Sequence, residues 1–157
     1  MVYISTSSVF NGTKIEPYTE EDIPAPQNIY GNSKYLGELA VKGILHDYLT
    51  LRICWVFGGG PSKDQKFVAK ILEQLDQPVI NVVSNKRGSP TYGKDLIASM
   101  RRLIEEGKSG LYHMGNFGSP TRADIVKEIV RITGSNAKVK EVESSFFGVA
   151  NADRPNN

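Results

Sequence analysis

The sequence predicts an α/β fold built on parallel strands, and three observations carry that reading. Short β-rich apolar runs alternate with segments of helical period along most of the chain, as in βαβ units. Clusters of Gly, Pro, Asn and Ser punctuate them. The composition, 157 residues with 39% hydrophobic and 23% charged, suffices for one domain with a real core.

The first run, "VYIS" from Val2, reads as a buried strand leading into the polar cluster "STSS" and the turn "FNGT". An acidic, Pro-bearing loop from Lys14 to Gln27 follows. Leu36, Leu39, Ala40 and Ile44 then recur at the helical period and predict a helix of about three turns ending near His46. "LTLRICWVF" predicts one strand covered on both faces, broken at Gly58, Gly59, Gly60 and Pro61. Phe67, Val68, Ile71, Leu72 and Leu75 mark a second helix, "PVINVV" a third strand, "KDLIASMRRLIEEG" a third helix and "GLYHM" a fourth strand. Thr121 with Asp124 three residues on predicts a capping box before the helical run Ile125, Ile129, Val130, Ile132, with Gly134 closing it. "KVKEV" ends the series as a short strand. A chain that opens on a buried-type strand and closes on "NADRPNN" is expected to be part of something longer.

Charge and cysteine content exclude several classes. The formal net charge is +2, from nineteen basic and seventeen acidic residues with no basic run, so nucleic acid is not an expected partner. Cys54 is the single cysteine, which rules out an internal disulfide or a cysteine-based zinc site and suits a reducing compartment, with cytoplasm the expected location. His46 and His113 lack ligand spacing, and no metal is expected. No apolar run approaches the roughly 18 residues of a membrane span, and "MVYISTSSVF" lacks the basic start of a signal peptide.

Chemistry enters at "NIYGNSKYLGE", where Tyr30 and Lys34 stand four residues apart and share one helix face. A cation beside a phenol favours its ionised form, which suits such a pair to giving and taking a proton. A solvated lysine beside an interfacial tyrosine is the plainer reading of the two residues alone. Context favours the chemistry. "ISTSSVFNG" is a strand ending in hydroxyl residues, and ligands of open α/β sheets bind beyond the carboxyl ends of the strands.

The ordered string of Ser5, Thr6, Phe10 and Gly12, then Pro26, Tyr30, Gly31, Ser33, Lys34, Gly37 and Glu38, then Arg52, Trp55, Val56, Phe57 and Gly58 resembles the extended short-chain dehydrogenase/reductase superfamily. Within it the string is most similar to the dTDP-4-dehydrorhamnose reductase family. Gly88, Pro90, Thr91, Asp95, Leu96, the "GLYHMGN" strand, Arg154 and Pro155 extend the resemblance over nearly the whole chain. It implies a partial Rossmann-like parallel sheet, the C-terminal half of one, over residues 1–57. A smaller substrate-binding α/β portion with returning strands would occupy 58–157. It implies catalysis by Thr6, Tyr30 and Lys34, with NADPH or NADH as cofactor of the full-length protein. Cofactor contacts are implied for Ser5, Tyr30, Lys34 and Arg52, and contacts to a nucleotide-sugar substrate for Ser7, Trp55, Phe57, Arg87 and Arg154. A homodimer is one expected assembly, and the open sheet edge at the first strand is expected to be covered by another chain or by rearrangement.

Ser7 and Ser8 stand where the family usually has Asp and Tyr, and where dehydratase relatives carry an Asp-Glu pair, which argues against water loss. The resemblance leaves two alternatives, a sugar-nucleotide epimerase and a noncatalytic regulatory subunit. No glycine-rich turn follows a strand and opens a helix, so this chain alone is expected to hold a dinucleotide poorly and not to turn over. "GSPTYGKD" nearly spells a phosphate loop, but Asp95 stands where a metal-binding hydroxyl belongs and predicts a turn before a helix instead. Cys54 reads as a small buried hydrophobe, and the charges of "RRLIEEGK" as a solvated helix face.

Overall fold

The computed structural model describes residues 1–60 and 62–147. Its strands are β1 (Val2–Thr6), β2 (Leu49–Ile53), β3 (Val56–Phe57), β4 (Val79–Val83), β5 (Thr91–Tyr92), β6 (Gly110–Met114) and β7 (Lys138–Val142). The helices are α1 (Ile29–Ile44), α2 (Phe67–Leu72), α3 (Gly93–Glu105) and α4 (Arg122–Thr133). All strand ladders among the described residues are parallel, in keeping with the α/β reading: β2 lies between β1 and β6, β3 pairs with β5, and β4 with β7.

Three predicted elements change on folding. "LTLRICWVF" is not one strand. It splits at Cys54 and Trp55, where Trp55 takes a positive φ of 40°, rare for a bulky side chain. The turn sends β3 out of the first sheet to pair with β5, a short strand inside the stretch expected to be a turn. The first strand is buried only at Ser5 and Thr6; β1 is an edge of its sheet, and Val2 and Ile4 are exposed.

Helix α1 is longer than predicted, 16 residues, because Asn28 caps it ahead of the apolar stripe, its side chain accepting the Gly31 N–H at 2.8 Å. Its inward face is also not the stripe. Leu36 and Ile44 are 64% and 78% exposed, while Gly31, Glu38 and Val41 are buried. Close approach decides this phase. A Cβ at residue 31 would overlap the Ser8 carbonyl oxygen, and one at residue 37 would overlap the Tyr3 hydroxyl. Glycine at both positions lets α1 settle directly on β1 and the turn after it.

The capping box holds as predicted. Thr121 accepts the Asp124 N–H at 3.1 Å, Asp124 accepts the Thr121 N–H at 2.9 Å, and Gly134 closes α4 in the left-handed region at φ 68°. α4, α2, β4 and β7 enclose an apolar cluster of Ile71, Ile80, Val82, Ala123, Val126 and Ala137. No helix among the described residues is long and apolar enough to cross a membrane.

Candidate active site

The register aligns Thr6, Ile53 and Met114 across the first sheet, so these residues share its carboxyl edge. Chain leaving that edge forms the site. After Thr6 a 3-10 turn runs over Ser7–Val9, capped by Thr6 itself, whose hydroxyl oxygen accepts the Ser8 N–H at 3.2 Å. Gly31 presses the first turn of α1 onto that Ser8 carbonyl. Tyr30, the second residue of α1, thus stands at the same edge as Thr6, with its side chain 58% exposed.

Lys34 lies one turn further along. Its ammonium sits over the Tyr3 ring, 4.4 Å from the centroid, and its carbonyl accepts the Tyr3 hydroxyl at 3.2 Å. The fold therefore brings the strand end bearing Thr6 to the helix end bearing Tyr30, and Lys34 rests on β1.

Ser5 and Arg52, expected to contact a cofactor, are turned inward. Arg52 is 4% exposed and grips the buried Glu38 carboxylate with two nitrogens, Nη2 to Oε2 at 2.7 Å and Nε to Oε1 at 3.0 Å. The Ser5 hydroxyl donates to the same carboxylate. Arg52 Nη1 also meets His113 Nε2 at 3.3 Å, and a guanidinium can only donate, so Nε2 accepts and the proton sits on Nδ1, facing the Tyr18 carbonyl at 3.2 Å. Burial pushes the imidazole below the ordinary histidine value, and the Arg52 charge adds to that push against the pull of Glu20. This network joins β1, α1, β2 and β6 through ionic and polar groups. It also secures the acidic loop: Glu20 accepts the His113 N–H at 2.6 Å, and Tyr18 stacks on Phe10 at 4.2 Å. Of these partners, Glu38 was legible as the residue one turn past Lys34; the contributions of His113 and Tyr3 had no local signal.

A second wall rises beyond β2. Ser7 hydrogen-bonds the buried Cys54 thiol; burial pushes that thiol up, with Ser7 opposing. The Cys54 carbonyl accepts the Thr91 hydroxyl at 2.5 Å. Trp55 lies on Gly88, where a Cβ would come within 2.8 Å of the indole, and the Arg122 guanidinium lies between Trp55 at 5.0 Å and Phe67 at 4.7 Å. Arg87 donates to the Ser119 carbonyl at 3.0 Å and bridges to Thr121. Of the predicted substrate contacts, Ser7 and Trp55 join one wall with Arg122, which the sequence reading did not single out. Phe57 goes elsewhere, packing on Tyr92 at 5.4 Å and lining a groove of about 630 Å³ against Ile97 and Arg101 of α3. Arg154 lies outside the described residues. Asp95 falls in the first turn of α3, as expected of a residue near a helix start, while Thr91 and Tyr92 before it form β5 in place of the expected turn.

A hydroxyl-tipped parallel strand beside a Tyr-x-x-x-Lys helix defines the chain as a unit of the extended short-chain dehydrogenase/reductase type. More particularly, it belongs to the RmlD substrate binding domain family, whose model matches residues 1–157. A dTDP-4-keto-6-deoxy-D-glucose reductase of Streptomyces niveus is 35% identical over 148 residues, covering 92% of this chain and 50% of that protein. The crystal structure of dTDP-4-dehydrorhamnose reductase from Yersinia enterocolitica superposes with a TM-score of 0.92 at 36% identity, over 98% of this chain and 54% of that one. That of the Bacillus anthracis reductase in complex with NADP gives 0.90 at 37%, with the same coverage. The chain spans about half the length of the curated relatives it matches.

Proposed function

We propose that this chain is the catalytic-tyrosine and substrate-binding portion of an NAD(P)H-dependent reductase acting on a nucleotide-linked 4-keto-6-deoxysugar. Residues 1–57 contribute the sheet edge and the Tyr30 helix, and most of 58–157 the sugar-facing side. The observation that carries the reading is the seating of α1: Gly31 on the Ser8 carbonyl sets the Tyr30 helix end against the strand end of Thr6. The names of the related reductases, one of them crystallised with NADP, support the chemistry.

The residues suit the nicotinamide end of a dinucleotide, since an exposed phenol stands on the helix end that meets the carboxyl edge of a parallel sheet, with a half-buried lysine one turn further along the same helix. The sequence holds no glycine-rich strand-turn-helix for the pyrophosphate. When bound, the cofactor supplies the hydride that reduces the sugar ketone. Tyr30 gives its phenolic proton to the oxygen that becomes the new hydroxyl. Thr6 hydrogen-bonds the same oxygen and orients it, Lys34 supplies positive charge beside the phenol and donors to the ribose, and Trp55 walls the sugar. Ser5 and Arg52 act at one remove, holding Glu38 and with it the helix that carries Tyr30 and Lys34.

The test is net oxidation of NADPH by the complete protein on dTDP-4-keto-6-deoxymannose, with one hydroxyl product formed per cofactor oxidised. A change of sugar stereochemistry without net NADPH loss would assign an epimerase instead. Stoichiometric association with another enzyme and no turnover would assign a regulatory subunit.

A further inference from the structure

Tyr3 makes contacts that the chemistry above does not use. It shares with Ser5 the face of β1 turned toward α1, by the two-residue alternation of a strand, and both side chains end on that helix, Ser5 on Glu38 and Tyr3 on Lys34. Three features of the Tyr3 contact converge. Its hydroxyl donates to the Lys34 carbonyl at 3.2 Å, its ring lies under the Lys34 ammonium at 4.4 Å, and its phenol fills a notch that exists because residue 37 is glycine. A lysine left to itself samples many rotamers, and ordering it costs conformational entropy. An aromatic face beneath the ammonium offsets part of that cost by attraction to the ring quadrupole.

We propose that Tyr3 is a positioning residue for Lys34, holding its ammonium against β1 one helical turn from Tyr30, so that the cation is already ordered for a cofactor ribose. The proposal rests on the reading of Lys34 as the cofactor-facing cation. The hydroxyl contact fixes the helix backbone at Lys34, and the ring fixes the charge. Tyr3→Phe therefore separates the two, since it keeps the ring and removes the hydrogen bond, whereas Tyr3→Leu removes both.

The experiment uses NMR on this chain. In the wild type the Lys34 Hε protons resonate upfield of those of the other lysines, shifted by the Tyr3 ring current; Tyr3→Phe keeps the shift and Tyr3→Leu abolishes it. An unshifted Lys34 in the wild type overturns the proposal. NADPH is then titrated into the complete protein, with binding read from the cofactor's fluorescence. Tyr3→Leu weakens binding by about two- to tenfold, as expected for loss of one cation and ring contact, and Tyr3→Phe weakens it less. Repeated in a Lys34→Ala background, Tyr3→Leu costs no more than Tyr3→Phe, because the hydrogen bond to the backbone carbonyl of residue 34 survives that change and only the ring's contact with the ammonium is already gone. An equal loss in both backgrounds would mean that Tyr3 only supports the fold, and overturns the proposal while leaving the role of Lys34 standing. Unchanged affinity on Lys34→Ala alone overturns the cofactor reading itself, and with it the purpose assigned to Tyr3.

Discussion

The two ends of this chain use the same pieces, parallel strands crossed by helices, but hold them together differently. Where β4 and β7 meet α2 and α4, the interior is Ile71, Ile80, Val82, Ala123, Val126 and Ala137. Where β1, β2 and β6 meet α1, the interior includes a carboxylate, a guanidinium, a hydroxyl and an imidazole, from Glu38, Arg52, Ser5 and His113. Apolar packing is non-directional and tolerates sliding or rotation at modest cost. A buried ion pair has a costly desolvation to overcome and does so only in one geometry. The polar end thus fixes the rotation of the helix that carries Tyr30 and Lys34, even though that rotation leaves Leu36 and Ile44 facing out.

The sharpest way to break the comparison is to remove one partner at the polar end. Glu38→Ala strands the Arg52 charge in the interior and is expected to lower stability by about 3–5 kcal/mol, read from the denaturant midpoint. Replacing both partners, as Glu38→Leu with Arg52→Met, should recover most of that stability while activity of the complete protein stays low, because adhesion returns without direction. Full recovery of both would mean that the ion pair places nothing. At the apolar end Ile80→Ala should cost about 2–5 kcal/mol and leave the affinity for NADPH unchanged. Gly31→Ala pushes α1 off the Ser8 carbonyl. Its cost is about 1–3 kcal/mol by overpacking, with a larger fractional loss of turnover than of stability.

The smallest expected effect is on pH. The folded value of His113 lies below the ordinary 6.5, so the unfolded chain takes up that proton first as pH falls. Stability from this group is complete above about pH 6.5 and is lost as the pH falls through the folded value. Protonation would also set a cation against Arg52. Hydrogen exchange at the His113 amide and in the loop holding Tyr18 and Glu20 should speed up there before exchange in the Ile80 and Val126 cluster does. Simultaneous loss at both ends would contradict the assignment.

The apolar end was the more legible in sequence. "PVINVV", "KVKEV" and the Thr121 capping box each announce themselves within a few residues, because strand alternation, helical period and caps are local. The site end was read in part. Thr6, Tyr30 and Lys34 stand out as residue types at the spacing the family resemblance expects, but the phase of α1 was hidden: the apolar stripe from Leu36 to Ile44 pointed one way and a glycine and a glutamate decided the other. Glu38 finds Arg52 fourteen positions away and Ser5 thirty-three away, beyond the reach of any periodic pattern. The break at Trp55 was invisible for the same reason, since Gly88 and Arg122, which bracket the indole, come from distant segments and nothing between Leu49 and Phe57 signals a turn.

In the proposed reaction one phenolic proton, that of Tyr30, goes to a substrate oxygen. The most direct measurement is kcat for Tyr30→Phe in the complete protein, taken together with the thermal midpoint. A fall of about 10²- to 10⁴-fold in kcat is expected, the range for loss of a general acid, with the midpoint unmoved because the side chain is exposed. Turnover equal to that of the wild type would contradict it.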